Sequence, residues 1–260
     1  MEIDILELGQ NDLPTSDYII NDLDELPDFT KFVLYCGGKK VGSTGNFVAI
    51  TGKPKTRKTA FAHAILSSAI GGGERLGFGV RMPKNKPDII LIDTEQDKND
   101  ILNSLQRLKR QAGLVDFKKS KQFKVYSVNT MQPESIIKFI SKLLSENKKI
   151  GFVCIDGLLD LINDMNDIKE SRNLLHQLKM WAVNYETFFL TILHQSKSSG
   201  FSIGHLGSFC DRKAQAVLSV EKNKDETTST CSAAMLRSDA NFTDITIQFD
   251  RLNQCYEQVI

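Results

Sequence analysis

Lys58 and Thr59 carry the most direct chemical meaning in this chain. A lysine followed by a hydroxyl residue at the start of a helix can reach the β and γ oxygens of a nucleotide with its ammonium and a Mg²⁺ ion with its hydroxyl. Backbone N–H groups of the preceding loop then surround the phosphate. The segment NFVAITGKPKTRKTAFA, residues 46–62, has the order this chemistry needs. Phe47 to Thr51 is a short β-branched and aromatic run that suits a buried strand, and Gly52 breaks it. Ala60, Phe61, Ala62, Ala64, Ile65 and Leu66 then recur at helical spacing. The candidate cradle is therefore Gly52, Lys53, Pro54, Lys55, Thr56 and Arg57, followed by Lys58, Thr59 and Ala60. It departs from G-x-x-x-x-G-K-[ST] where Arg57 replaces the second glycine. A non-glycine residue held in a left-handed conformation there costs on the order of 1 kcal/mol. Taken alone, the motif also fits a basic surface turn between strand and helix.

Three further strand ends carry suggestive groups: Asp93 and Glu95 after DIILID, Asp156 after GFVCI, and His194-Gln195 after FFLTIL. An acid at a strand end is more often a turn or cap residue than a ligand. Jointly, however, these residues make up the set a P-loop ATPase needs. Asp156 would stand behind Mg²⁺, Glu95 would orient water, and Gln195 or His194 would sense the γ-phosphate. Ligands of open α/β sheets sit at the carboxyl ends of the strands, where all of these fall.

The elements that must position them alternate along the chain. Strands are expected over Lys31 to Tyr35, Lys39 to Val41, Phe47 to Thr51, Asp88 to Asp93, Phe123 to Val128, Gly151 to Ile155 and Phe188 to Leu193. Helices are expected after the loop, over Lys98 to Gln111, over Pro133 to Glu146 with proline in its first turn, and over Asp167 to Glu186 with Trp181 as a core anchor. That alternation predicts a mostly parallel sheet with helices on both faces. From Gln215 onward Ala216 to Val220, Ser229 to Arg237 and Thr243 to Phe249 read as strands without helices, an antiparallel extension at one edge. The glycine-rich stretch from Gly71 to Pro83 reads as an irregular connection, and Lys197 to Gly207 as a flexible, weakly basic loop. Lys118, Lys119, Lys121 and Lys124 make a second basic cluster, read as a solvated edge. His63 and His176 lie within helices with no chemical role assigned.

Composition sets outer bounds. At 260 residues with a net charge of +1, the chain suits one α/β domain, and nucleic-acid contact must come from a local patch. The five scattered cysteines show no C-x-x-C spacing, which fits a reducing cytoplasm without zinc. No apolar run approaches the roughly 20 residues of a membrane span. Residues 1–30 carry Asp and Glu but no Lys or Arg, and read as an acidic arm, with the ATPase domain over 31–260.

With these residues in place, the sequence resembles the RecA-like P-loop motor ATPases, and within them the RepA-like hexameric helicases of plasmids and mobile elements. IDTEQ is similar to the family strand ending in a catalytic glutamate, at Glu95, and FVCIDGLLDL to its Walker B strand, at Asp156. LTILHQSKSSG is similar to the sensor strand leading into a DNA-facing loop, and Gly207-Ser208 with KAQAVLSVEK to the segment after it. Arg237 falls at the arginine of a Lys-x-Arg pair that reaches a neighbouring subunit's site, with Met235 in place of the lysine. The resemblance implies a RecA-like fold, ATP and Mg²⁺ as ligands, a homo-oligomeric ring or filament, and single-stranded DNA as partner. Its departures, Arg57 and Met235, bear on hydrolysis more than on binding; one hypothesis gives Arg57 a charge-stabilising role in cis. An ATP-dependent switch without unwinding activity is the alternative, and a nucleotide-binding protein without turnover a further one. Lys53 matches the signature lysine of the ParA/MinD-like ATPases, although Pro54 and Lys55 stand where those have glycines.

Overall fold

The computed structural model describes residues 31–114, 122–195 and 204–259. Residues 31–260 form one compact unit. The acidic arm, Lys118, Lys119, Lys121, and the loop positions Lys197, Ser198, Ser199, Gly200 and Ser202 lie outside the described residues.

Strands β3 (Phe47–Gly52), β6 (Asp88–Asp93), β7 (Phe123–Ser127), β8 (Ile150–Asp156), β9 (Phe188–His194) and β10 (Ala216–Lys222) form a parallel sheet in the order β7-β6-β8-β9-β3-β10. β11 (Thr228–Leu236), β12 (Ile245–Asp250) and β13 (Cys255–Val259) continue it antiparallel. The antiparallel extension thus begins one strand later than the sequence predicts, because β10 runs parallel to β3, Leu218 opposite Ile50.

Every residue of β3 and β8 is buried, as continuous apolar strands covered on both faces must be. Their side chains alternate between two cores. Val48 and Ile50 join Phe61, Ile65 and Leu66 of α1 (Lys58–Gly71) and Leu108 of α2 (Lys98–Gln111) on one face. Phe47 and Ala49 join α3 (Pro133–Glu146), α4 (Ile168–Asn184) and α5 (Gly204–Lys213) on the other. Trp181 anchors that second core, stacked 6.2 Å from Phe189 with its Nε1 donating to Ser141 Oγ at 3.1 Å.

Two stretches read as loops differ from expectation. The connection over 71–83 contains β4 (Glu74–Arg75) and β5 (Phe78–Val80), which join β1 (Phe32–Cys36) and β2 (Lys39–Ser43) in a small sheet ordered β2-β1-β5-β4. Phe78 drives this: it is fully buried and meets Phe61 and Phe242 edge-on at 6.3 and 6.5 Å. Gly204 to Gly207, read as loop, open α5 instead. Leu206 and Cys210, four residues apart on one helical face, are fully buried in the core they share with α4.

Candidate functional site

The register of the sheet lines up the strand ends. Asp93 lies opposite Asp156, and Gly52 opposite His194. Neighbouring strands are about 4.8 Å apart, so the order β6-β8-β9-β3 packs these groups into one edge. Gly52 cannot be larger, because an added Cβ would sit 2.4 Å from the Val220 carbonyl oxygen.

The loop after Gly52 bends back over the strand ends. Thr56 Oγ1 donates to the Lys53 carbonyl at 2.9 Å. Lys58 is buried, and its ammonium donates to the carbonyls of Gly52 at 3.0 Å and Lys53 at 2.9 Å. Burial lowers its pKa to about 8, against the opposing pull of Glu95 and Asp156. A phosphate is a better acceptor for that charge than two neutral carbonyls. Thr59 Oγ1 donates to Asp156 Oδ2 at 3.0 Å, joining loop to strand. Burial, then Asp93 and Glu95, raise the Asp156 carboxyl to about 7. A cation placed between Thr59 and Asp156 would relieve that accumulation of negative charge. The donor set, a hydroxyl and one carboxylate, fits Mg²⁺, which takes one or two protein oxygens and completes its octahedron with phosphate and water. Among the described residues there is no group of three or more His, Cys, Asp or Glu that could hold a metal ion.

Asp93 plays a different part from Asp156. Its Oδ1 accepts from the Glu95 and Gln96 N–H groups at 3.1 and 2.8 Å, and its Oδ2 from Gln96 Nε2 at 2.7 Å. It shapes the turn that presents Glu95. Thr94 fixes the same turn to the next strand, its Oγ1 donating to the Asp156 carbonyl at 2.9 Å. Glu95 reaches His194 at 3.0 Å from Oε1 to Nε2. That hydrogen bond, more than the charges around it, lowers the Glu95 pKa. An ionised carboxylate only accepts, so Nε2 carries the proton, while His194 Nδ1 is buried without a partner. Gln195 turns the other way: its N–H donates to the Gly52 carbonyl at 2.9 Å and its Nε2 to Thr51 Oγ1 at 3.2 Å.

Two predicted residues have other occupations. Arg57 adopts φ 70°, ψ 30°, the left-handed geometry of the glycine it replaces. Its guanidinium points to the β10–β11 turn, donating to the carbonyls of Thr228 at 3.1 Å and Glu226 at 3.2 Å and to Ser229 Oγ at 2.8 Å. Arg237 stands at the opposite end of the sheet from Lys58. Its guanidinium donates to the carbonyls of Ala214 at 3.0 Å and Arg212 at 2.8 Å, capping the end of α5. Arg237 therefore contributes nothing to the site of its own chain.

A cavity of about 220 Å³ opens beside Thr59, walled by Glu95 and Asp156 and, across it, by His63, Gln96, Arg107 and Tyr256. It is smaller than the 300 Å³ or so of typical ligand pockets. Burial, then Arg107, push the His63 pKa down to about 4, so it faces the cavity neutral. Sequence reasoning missed Gln96, Arg107 and Tyr256. Gln96 stands in the flagged IDTEQ stretch and could have been found; Arg107 looks like any polar-face residue of α2, and Tyr256 belongs to the unpredicted β13.

A family model described as an AAA domain matches residues 39–200. The fold also matches 560 chains of solved structures. One is the crystal structure of the RadB recombinase, with a TM-score of 0.58 and 13% identity over 86% of this chain and 94% of that one. No curated protein matches the sequence.

Proposed function

The chain belongs to the AAA domain family and has a RecA-like P-loop fold, and on that premise we propose that it binds and hydrolyses MgATP to do work on DNA. The observation that carries the reading is the 3.0 Å hydrogen bond from Thr59 to Asp156, with buried Lys58 and the Glu95 carboxylate around it. Lys58 binds the β/γ-phosphates. Thr59 and Asp156 would hold Mg²⁺, which when bound would neutralise charge on the phosphate oxygens. Glu95 orients the attacking water and accepts its proton; the His194 hydrogen bond lowers its pKa and so holds it ionised. Gln195 and His194 sense the γ-phosphate from the end of β9. Arg237 acts in trans, in a ring or filament of identical subunits, its exposed position at the far end of the sheet being compatible with reaching a neighbour. Within this reading residues 1–30 are an acidic arm preceding the ATPase domain in sequence, and single-stranded DNA is the partner. A RepA-like replicative helicase of a mobile element is the specific form it takes.

Two observations favour a second reading, an ATP-dependent switch without unwinding activity. Glu95 is tied to His194 rather than free, and Arg57 is tied to a hairpin. Steady-state ATP turnover with and without single-stranded DNA separates the two. A motor predicts turnover that rises several-fold with DNA; slow turnover indifferent to DNA points to the switch, and no Mg²⁺-dependent ATP binding overturns both.

A further inference from the structure

On the face of the sheet that carries α4 and α5, at the start of β3, lies a second cleft of about 680 Å³. β3 spans roughly 17 Å, and the cleft opens at Phe47, the end away from Gly52. Arg172, His176 and Lys179 enter it from α4, Arg212 and Lys213 from the last turn of α5. Steps of four and three place the α4 residues on one helical face. Phe209 lies between the two helices, with the Arg172 and Arg212 guanidinium carbons 5.1 and 4.8 Å from its ring centre. Both forks are thereby held in place at an exposed site by cation–π contact. Among the described residues the ion pairs lie elsewhere, and none involves these five. Lys179 donates only to neutral oxygens, the Gly45 carbonyl at 2.7 Å and Asn46 Oδ1 at 2.6 Å. In a chain of net charge +1, four Lys and Arg side chains around one hollow, with no ion-pair partner among the described residues, concentrate positive potential locally.

We propose that this cleft binds the sugar–phosphate backbone of a single nucleic-acid strand. Arginine forks match phosphate bidentately. From Arg172 to Lys179 the α4 face runs about 10 Å, a row of positive groups longer than one phosphate. A linear polyanion fits that row better than a single free anion does. The contact is sequence-independent, since it reads phosphate and not base edges. The inference rests on the reading of this chain as an ATPase that works on DNA, and places the strand on a surface separate from the nucleotide site.

The test is fluorescence anisotropy of the full chain with labelled oligo-dT and a mixed-sequence oligonucleotide, across a series of KCl concentrations. Arg172→Gln combined with Arg212→Gln is compared with the wild type, and Lys213→Gln serves as a milder variant. All three side chains are exposed, so an unchanged melting temperature is the fold control. The double variant is expected to bind both oligonucleotides roughly tenfold more weakly, with the slope of log K against log salt shallower by about 1.4, two phosphates at 0.7 each. Wild-type binding that the variants leave unchanged overturns the cleft and leaves the DNA-coupled reading standing; no wild-type binding at all sinks both. Weaker binding with an unaltered salt slope, or displacement of DNA by polyglutamate at lower concentration than by unlabelled oligo-dT, also overturns it, the latter in favour of an acidic protein partner.

Discussion

Replacing Asp156 by asparagine should stabilise the protein while disabling its metal site. Asp156 is 5% exposed, and burial with Asp93 and Glu95 nearby raises its carboxyl from 3.8 to about 7. Because the folded pKa lies above the unfolded one, the unfolded chain releases the proton first as pH rises. Stability therefore falls between about pH 4 and pH 7, and the full cost is present above pH 7. A shift of this size corresponds to a cost on the order of 4 kcal/mol. Water entry and side-chain movement screen part of it, so about 2 kcal/mol is the gain expected for Asp156→Asn at pH 8. Asparagine keeps a carbonyl oxygen for Thr59 Oγ1 and buries no charge. For a domain of this size that gain raises the melting temperature by roughly 4–8 °C. At pH 5 the gain should shrink by more than half. The assay is thermal unfolding at pH 5 and pH 8 without nucleotide or Mg²⁺. An Asp156→Asn protein no more stable at pH 8, or equally stabilised at both pH values, would refute the reasoning.

Arg57 offers a second test. Both Arg57→Gly and Arg57→Ala lose the hydrogen bonds to the β10–β11 turn, but only alanine retains the left-handed strain, so urea unfolding should find the glycine variant more stable than the alanine one by about 1 kcal/mol; equal stabilities would contradict the strain. Lys58 titrates near 8 in the free protein, so nucleotide affinity should fall by up to about tenfold per pH unit above that value as the ammonium is lost. Titration of a fluorescent ATP analogue from pH 7 to pH 9.5 reads this, and a flat profile would remove Lys58 as the phosphate contact.

The strand–loop–helix around Lys58 and the alternating core were legible because their signals are local. A short apolar run rich in isoleucine and bounded by polar residues, such as DIILID, suits a doubly buried strand, and a helix like α3 shows its buried face directly in Ile136, Ile140 and Leu144. Strand ends followed from strand bounds, so the meeting of Asp156 with Thr59 was foreseeable. Partners set by distant segments were not. Nothing around Arg57 reveals that Thr228 and Ser229 will receive its guanidinium, 171 and 172 residues away. Likewise α5 depends on Leu206 and Cys210 finding α4, while its own sequence, GHLGSFCDRK, opens with glycines that weaken any helical signal. Short strands such as β4 and β5 exist because Phe78 finds Phe61 and Phe242, a tertiary effect no periodicity records.

The central claim, that Lys58, Thr59, Asp156 and Glu95 form one hydrolytic phosphate site, is tested most directly by single-turnover phosphate release from MgATP by the wild type and Glu95→Gln at matched nucleotide occupancy. Glu95 lies beside the cavity, and its side-chain hydrogen bond goes to His194 rather than to the loop that would bind phosphate. The account predicts that Glu95→Gln fills with nucleotide like the wild type but releases phosphate at least 100-fold more slowly, the lower range for a lost general base. Equal rates in the two proteins would contradict it.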